Sequence, residues 1–506
     1  MEDDVGRSQD SLNHGLNPLG VRVADAFAAG SRWLAIGTIV LAPLPLGSVS
    51  PVFSIFWSVA LLLSLATARL TSLRTVHYLM IWTIAGTFLV LILVVWLQSL
   101  HDPFFAKPYP GWQDASRLLE MALPRQIAAT GNAPLFRIVG PLAFTLALLR
   151  AFILAAEPKQ ARGLAKTMAF AGICYAVFAL ISFAFDPDVV LWHEKIAYRE
   201  NVTGTFINRN TAATFFGGCA CVWMVRMLTQ ARELLHGERA TWSWLRGLIA
   251  QPERVSRRLI LTSIGFLLCF AVTAATGSRA GLLLTASVMS AIAVIFFRDS
   301  LSSWRSFVAI GSLILAGLLS LLQILGGSVA TRLQTSGLHD EGRLHVYRAT
   351  MRMIADHPWL GVGLGGFEAV FPSYRPAEVT DWGVWDRAHS VPLQIAAELG
   401  LPFALLMVSL AALALITLFV TMLRGRTNRS AISLEALAFV LLGLLHSIVD
   451  FSLQIPGYSI FFAGWMGVGL ASVVSDRSPA AVGNIGQTAV NRSPARRTMT
   501  KDYLDS

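Results

Sequence analysis

The chain alternates long apolar runs with shorter polar segments over most of its length. An apolar run of about 20 residues is long enough for a helix to cross the hydrocarbon core of a bilayer. The pattern therefore predicts twelve membrane spans, flanked by polar tails at 1–32 and 476–506. In chain order, the predicted spans are 33–49, 52–68, 76–98, 135–156, 164–185, 211–229, 258–276, 280–297, 306–325, 391–422, 432–450 and 456–475.

The composition supports an all-α membrane protein with one membrane domain at 33–475. Of the 506 residues, 55% are hydrophobic and 14% are charged, and the mean hydropathy is +0.59. Soluble domains carry about 25% charged residues, so a soluble enzyme, a disordered chain and a fibrous protein are excluded. The four cysteines lie in apolar runs, which favours a packing role over a disulfide framework or a metal cluster.

The distribution of basic residues predicts the orientation of the chain. The net charge is +10, but Lys and Arg are spread over many loops instead of one face, which argues against a nucleic-acid partner. With both termini in the cytoplasm, the inner segments hold 25 Lys and Arg and the outer segments hold 14, in agreement with the positive-inside rule. The long outer segments are then 99–134, 186–210 and 326–390. Long loops usually carry function, so we expect the chemistry at the outer membrane boundary.

Arg279 lies in the short turn Thr276–Gly281 between two predicted spans. Its guanidinium is therefore expected at the outer boundary, beside the N-terminus of the next helix. A cation next to free helix N–H groups favours the binding of a phosphate or diphosphate. The alternative is an arginine that reaches the lipid headgroups and has no catalytic task.

The outer segment 326–390 carries a second group of candidates and is predicted to fold as short helices. Residues 343–354 have the spacing of an amphipathic helix, with Arg343 and Arg348 off its apolar stripe. A glycine-rich loop follows this helix. His389, at the start of span ten, is suited to act as a general base near neutral pH, or to be an interfacial or capping residue. The predicted apolar stripe consists of Leu344, Tyr347, Met351 and Ile354.

Two further polar groups lie at predicted outer ends of spans. Asn208, Arg209 and Asn210 precede span six, where either asparagine can cap the helix and all three side chains suit sugar hydroxyls or phosphate. His446 and Asp450 are four residues apart near the end of span eleven, on one helix face. Two interpretations are open for them. They form a hydrogen-bonded pair that joins spans eleven and twelve, or Asp450 lies near the acceptor or pairs with an arginine of the site.

Five short motifs between residues 204 and 402 share this predicted outer side. In chain order they are Gly-Thr-Phe-Ile-Asn-Arg-Asn (204–210), Thr-Gly-Ser-Arg-Ala-Gly (276–281), His-Pro-Trp-Leu-Gly-Val-Gly-Leu-Gly-Gly-Phe (357–367), Ala-His-Ser (388–390) and Glu-Leu-Gly-Leu-Pro (398–402). Their order and spacing resemble the O-antigen ligase and O-antigen polymerase superfamily of bacterial polytopic membrane glycosyltransferases. One departure is Ser390, where many members have Asn.

The resemblance implies a GT-C-like fold in the bacterial inner membrane, with a large periplasmic loop between spans nine and ten. It implies an inverting glycosyltransferase that needs no metal or other cofactor. Such an enzyme moves a glycan from undecaprenyl diphosphate to an acceptor hydroxyl at the periplasmic face. Arg279, Arg343 and His389 match the residues regarded as essential in ligases, and are the expected catalytic residues. The expected substrate-binding residues are Asn208, Arg209, Asn210, Arg348 and Asp450.

Three functions are compatible with the sequence. A ligase, slightly favoured, joins a finished glycan to a lipid A–core acceptor. A polymerase joins one lipid-linked repeat unit to a growing polysaccharide such as O-antigen or exopolysaccharide. A transporter is the third reading, and it would show internal repeats or broken helices with charges at mid-membrane. Genes for a flippase and a chain-length regulator beside this one would favour the polymerase.

Overall fold

The computed structural model describes residues 18–70, 73–234, 256–298, 312, 341–379, 385–424 and 428–476, and these residues are mostly helical. Short 3₁₀ turns lie at Leu46–Ser48, Phe371–Ser373 and Ser452–Gln454. The α-helices within the described residues are α1 (Pro18–Leu41), α2 (Pro51–Ala66), α3 (Thr75–Gln98), α4 (Gly111–Leu118), α5 (Ala133–Arg137), α6 (Val139–Ala155), α7 (Pro158–Phe185), α8 (Arg209–Leu234), α9 (Arg257–Ala275), α10 (Arg279–Phe297), α11 (Glu341–Asp356), α12 (Phe367–Val370), α13 (Val391–Leu399), α14 (Leu401–Arg424), α15 (Asn428–Ser447) and α16 (Pro456–Asp476).

Nine helical stretches of the described residues are long and apolar enough to cross a membrane, so the chain is a polytopic integral membrane protein. They coincide with nine of the twelve predicted spans. The predicted span 306–325 lies outside the described residues, apart from residue 312. The nine stretches are Thr75–Gln98, Ala133–Ala155, Pro158–Phe185, Arg209–Glu233, Arg257–Ala275, Arg279–Phe297, Leu401–Leu423, Ala431–Val449 and Pro456–Val474.

The first two helices differ from the first two predicted spans. α1 begins at Pro18, so the second half of the predicted tail 1–32 is helical, and it ends at Leu41 instead of residue 49. Pro43 and Pro45 follow directly, and proline ends a helix because it lacks the N–H group and clashes with the preceding turn. α2 is apolar but has 16 residues, fewer than a full crossing usually needs.

The predicted span 391–422 is divided into α13 and α14 at Gly400. This glycine has φ +85°, and a Cβ there would lie 2.1 Å from the Trp359 carbonyl oxygen. The backbone N–H of Leu401 donates to the carbonyl of Pro358 at 2.7 Å, so the glycine-rich loop packs directly onto the break. The hydropathy pattern missed this division because the sequence is apolar on both sides of it.

α16 lies in the interior of the bundle, where its apolar stretch is buried against α6 and α15. A Cβ at Gly467 would lie 2.7 Å from Cβ of Ala151, so the glycine lets α16 and α6 approach closely. Arg150 of α6 is buried and donates to the hydroxyls of Ser64 (2.7 Å) and Ser31 (3.1 Å). These bonds join α1, α2 and α6, and they give two N–H groups of the buried guanidinium a hydrogen-bond acceptor.

The described residues between α10 and α13 form short helices, as predicted, with an apolar cluster distinct from that of the spans. The predicted apolar stripe of α11 is wrong for Leu344 and Met351, which are exposed. Val346, Ala349 and Met353 are buried instead, at the i, i+3 and i+7 spacing of one helix face. These three residues therefore form the face that packs in one cluster with Ala388 and with Ala396 and Ala397 of α13.

A two-stranded ribbon is the exception to the predicted all-α fold. β1 (Val189–Val190) and β2 (His193–Glu194) pair antiparallel, with Val189 opposite Glu194. The ribbon lies in the polar segment between α7 and α8, and the membrane-spanning stretches are helical as predicted.

Candidate active site

Asp450 is the centre of a polar cluster at one end of the helix bundle. It follows α15 directly and is 1% exposed. Its Oδ2 accepts hydrogen bonds from Asn210 Nδ2 and from Arg343 Nη2, the latter at 3.4 Å. Its Oδ1 accepts from the backbone N–H of Phe451 at 2.7 Å and lies 3.8 Å from His389 Nδ1. We call this end of the bundle, where α8 and α10 begin and α15 ends, the Asp450 end.

The local structure after α15 explains why the carboxylate points inward. The backbone N–H of Asp450 donates to the carbonyl of His446 at 3.0 Å, which continues the helical turn beyond Ser447. The His446 ring pairs through Nδ1 with the hydroxyl of Ser452 at 3.2 Å. Of the two interpretations left open by the sequence, the geometry agrees with the second, in which Asp450 contacts an arginine.

Arg343, on the first turn of α11, has a guanidinium that contacts the segment after α15. Its Nη1 donates to the carbonyl of Val449 at 2.9 Å, and its Nη2 contacts Asp450. The side chain is 22% exposed, in contrast to the hidden carboxylate. The cation is therefore anchored to the bundle and still reaches the surface.

His389 lies before α13 with an unusual backbone conformation. Its φ is +53°, which costs a residue with a side chain roughly 1–3 kcal/mol and persists where the surroundings hold it. Its imidazole lies edge-on to Trp385 and Phe451, with centroid distances of 5.5 and 5.0 Å. The side chain is 21% exposed, so a substrate can approach the ring.

The three residues before and at the start of α8 have different roles. Asn208 Oδ1 accepts from the backbone N–H groups of Asn210 (2.7 Å) and Thr211 (3.3 Å), which confirms a helix cap. The Asn210 side chain instead reaches Asp450. Arg209 lies over the ring of Tyr198 at 4.8 Å and donates to Asn201 Oδ1 at 3.3 Å, so it turns toward the segment before α8.

Arg279 is the first residue of α10 and is half-buried. Its neighbour Ser278 caps that helix by accepting from the backbone N–H of Gly281 at 3.3 Å, and donates from Oγ to Asn210 Oδ1 at 2.8 Å. The turn that bears Arg279 is thus joined to Asp450 through one asparagine side chain.

Arg348 is exposed, and among the described residues no hydrogen bond or ion pair joins it to Asp450. The structure therefore brings Arg343, His389, Asn210 and Asp450 into contact. The turn that bears Arg279 is connected to these residues through the hydrogen bond from Ser278 to Asn210. Arg209 and Arg348 lie outside the cluster.

Tyr347 is a polar contact of the cluster that the sequence pattern did not reveal. Its hydroxyl donates to the His389 carbonyl at 2.9 Å and lies 3.4 Å from the Val449 carbonyl. The spacing places Tyr347 on the apolar stripe of α11, where a phenol hydroxyl gives no separate signal. The spacing Arg343–Tyr347, four residues on one helix, was the available clue.

The electrostatics of the cluster favour an ionised carboxylate. Asp450 lies just beyond the membrane-spanning stretch Ala431–Val449. Burial by itself would raise the pKa of its carboxyl, but the contact with His389 and the nearby histidine and arginine side chains lower that pKa below its usual value. Within the described residues, no group of three or more His, Cys, Asp or Glu side chains is arranged to hold a metal ion.

The spans and this cluster define a class: a polytopic integral membrane protein with a cation, an imidazole and a buried carboxylate at one end of its bundle. Residues 264–408 match the family described as O-Antigen ligase, which confirms the predicted resemblance to the O-antigen ligase superfamily. The matched range contains Arg279, Arg343 and His389, whereas Asn210 and Asp450 lie outside it. The family implies a glycosyltransferase-like ligase activity, with a lipid-linked glycan and a polysaccharide acceptor as partners. No curated protein matches the chain.

Proposed function

We propose that this protein transfers a glycan from undecaprenyl diphosphate to a hydroxyl of a lipid A–core acceptor, at the periplasmic face of the bacterial inner membrane. The observation that carries the proposal is the convergence of Arg343 and His389 on the buried carboxylate of Asp450. Both residues lie in the range that matches the O-Antigen ligase family. The cluster combines a base, a cation and a fixed anion at one accessible boundary.

In the proposed reaction, the acceptor oxygen attacks the anomeric carbon from the side opposite the diphosphate and inverts that centre. A new carbon–oxygen bond forms, the bond to the diphosphate oxygen breaks, and its electron pair leaves with undecaprenyl diphosphate. The acceptor proton passes to Nε2 of His389, because Nδ1 faces Asp450. The buried carboxylate stabilises the imidazolium that results and orients the ring.

The arginines supply the positive charge that the leaving group needs. Diphosphate spreads its charge over several oxygens, and a guanidinium can contact two of them at once. Arg343 is anchored and partly exposed, and Arg279 is on a turn that Asn210 joins to the same cluster. Two such cations make a divalent metal unnecessary in this proposal. Arg209 and Arg348 stay predicted contacts of the glycan, farther from the reacting atoms.

Glycan transfer in isolated membranes tests these assignments. We expect Arg279→Lys and Arg343→Lys each to lower transfer by about 10²-fold at matched protein level, because lysine keeps the charge but cannot contact two diphosphate oxygens at once. His389→Ala should lower transfer by about 10²–10⁴-fold through the loss of the base. Arg352→Lys is the matched control, because Arg352 is on the same helix as Arg343 but donates to the Tyr374 carbonyl. Full activity in one of the three variants would show that this residue has no part in the mechanism. Loss of wild-type activity in EDTA would show that a metal ion, and not the arginines, stabilises the leaving diphosphate.

The accumulated intermediate distinguishes a ligase from a polymerase. A strain that lacks the protein is expected to accumulate long glycan chains on undecaprenyl diphosphate. Accumulation of single repeat units would assign the same chemistry to a polymerase. Reporter fusions at both termini test the proposed orientation, and a periplasmic signal from either terminus would contradict it.

A further inference from the structure

We propose that Tyr347 and Gln394 are positioning residues that clamp the backbone of His389, and that Glu398 fixes the orientation of the Gln394 amide. The inference rests on the proposed function, because it assigns these residues a task through His389. These three residues act through His389 and do not contact the substrate in this proposal. They hold the imidazole at its distance from Asp450.

The first half of the clamp is the Tyr347 hydroxyl. It donates to the carbonyl oxygen of His389 at 2.9 Å, on the C-terminal side of the residue with φ +53°. Tyr347 lies one helical turn after Arg343 on α11. Helix α11 therefore carries Arg343 and also binds the backbone of His389 through Tyr347. Both the guanidinium and the imidazole thus keep a fixed position relative to Asp450.

The second half of the clamp is the Gln394 side chain, on the N-terminal side of His389. Its Oε1 accepts from the backbone N–H of Ala388 at 3.1 Å, and its Nε2 donates to Glu398 Oε1 at 3.0 Å. A glutamine amide can present either atom to Ala388, and only its oxygen can accept. Glu398 Oε1 accepts from the NH₂ group, and this bond leaves the amide oxygen facing Ala388.

Glu398 is in turn fixed by the glycine-rich loop. Its Oε2 accepts from the backbone N–H of Gly365 at 2.8 Å, and its Oε1 accepts from that of Phe367 at 3.4 Å. Gly365 has φ +75°, and a Cβ there would lie 2.8 Å from Cγ of Arg137. The loop therefore needs glycine to bring its N–H group to the carboxylate, which gives the glycine-rich motif a role in shaping the site.

The distance between His389 and Asp450 explains why the backbone of His389 must be held in place. His389 Nδ1 is 3.8 Å from Asp450 Oδ1, slightly beyond a hydrogen bond, so a small rotation about the His389 backbone decides whether that contact forms. The left-handed conformation is unfavourable for a residue with a Cβ, and the chain would relax from it without outside bonds. A displacement of about 1 Å in a reacting group can cost about 10²-fold in rate.

The test uses Tyr347→Phe and Gln394→Met in the full-length protein, with glycan transfer measured over a range of donor concentrations. We expect kcat to fall by roughly 10–100-fold, while KM for the lipid-linked donor stays unchanged. Tyr374→Phe is the matched control, since that hydroxyl bonds Asp356 on the same segment, away from His389. Unchanged kcat in both clamp variants, or a rise in KM without a fall in kcat, overturns the inference.

A second measurement separates positioning from a general structural role. In the His389→Ala background, Tyr347→Phe is expected to cause no further loss of the residual transfer, because the residue acts through the missing imidazole. A further loss of tenfold or more would show a structural effect and overturn the inference. Failure of the proposed function has a different signature: the wild-type protein would then show no glycan transfer in membranes.

Discussion

Helices α8 and α15 are joined at both ends by a carboxylate of α15 or of the turn after it, and the two ends are built differently. At one end, Asp450 meets Asn210 of α8. At the other, which we call the Arg226 end, Glu435 of α15 binds Arg226 of α8 at 2.8 Å. Each carboxylate is almost fully buried. The comparison shows how similar chemistry serves two purposes in one helix pair.

The Arg226 end is held by short polar contacts between three spans. Arg226 Nη2 also donates to the carbonyl of Ala165 on α7 at 3.1 Å, and the guanidinium lies against the ring of Trp223. Cation and carboxylate are both within membrane-spanning stretches, so this pair connects spans to one another.

The contacts with basic side chains at the Asp450 end are longer. Its carboxylate contacts Arg343 at 3.4 Å and His389 at 3.8 Å, longer than the 2.8 Å of the other pair. Both groups come from the segment between α10 and α13, and both reach the surface. Glu435 therefore connects spans to one another. Asp450 instead binds side chains from the segment between α10 and α13, and such a carboxylate can position the groups of a site.

The largest effect that tests this comparison is expected from Arg226→Met, on stability. Removing the cation leaves Glu435 buried and uncompensated, which commonly costs about 3–5 kcal/mol. We expect a lower melting temperature in detergent, with transfer per folded molecule unchanged. The double variant Arg226→Met/Glu435→Met should recover most of the stability, because neither charge is then left alone.

Loss of transfer in folded Arg226→Met protein would contradict the division between the two ends. A melting temperature equal to that of the wild type would show that the pair contributes little to stability.

Asp450→Asn is expected to have the second largest effect, this time on activity. Asparagine keeps the size of the side chain but loses the charge beside His389, so transfer should fall by roughly 10²–10³-fold. Stability should change less than in Arg226→Met, because Arg343 keeps its hydrogen bond to the Val449 carbonyl at 2.9 Å. Glu435→Gln is the matched control at the other end, with transfer per folded molecule unchanged.

The pH dependence of transfer sharpens the same prediction. The pKa of Asp450 is lowered in the folded protein, so the stability it contributes is present above its ordinary carboxyl value and is lost only as the pH falls through the lowered value. Asp450 therefore stays ionised across the working range, and an acid limb of transfer above pH 5 has another origin. An acid limb near the ordinary carboxyl value of about 3.9 that Asp450→Asn removes would contradict this assignment.

Nine of the twelve predicted spans coincide with helices of membrane length among the described residues, because hydrophobic length is a local property. The sequence also predicted that Arg343, His389 and Asp450 lie at one boundary, since the ends of spans alternate between two sides. It did not predict the division at Gly400, which depends on contact with Trp359 from another segment. Apolar residues flank that glycine on both sides, so hydropathy continues through it.

The polar contacts between residues far apart in the chain could not be predicted from the sequence. Glu435 and Arg226 are 209 residues apart, and Asn210 and Asp450 are 240 residues apart. Helix periodicity shows which side chains share a face and does not show which helix that face meets. The same limit hid Tyr347, whose hydroxyl is used by a loop 42 residues away.

The smallest expected effect concerns Asn208, and it separates a cap from a binding residue at the Asp450 end. Asn208 Oδ1 accepts the backbone N–H groups of Asn210 and Thr211, so Asn208→Ala should cost about 1 kcal/mol of stability through the loss of the cap. Asn208→Ser keeps a capping oxygen and should restore the melting temperature. Transfer per folded molecule should stay close to wild type in both variants, whereas Asn210→Ala should lower it, because Asn210 contacts Asp450 and Ser278. A loss of transfer in Asn208→Ser at unchanged melting temperature would return Asn208 to the substrate-binding residues that the sequence first indicated.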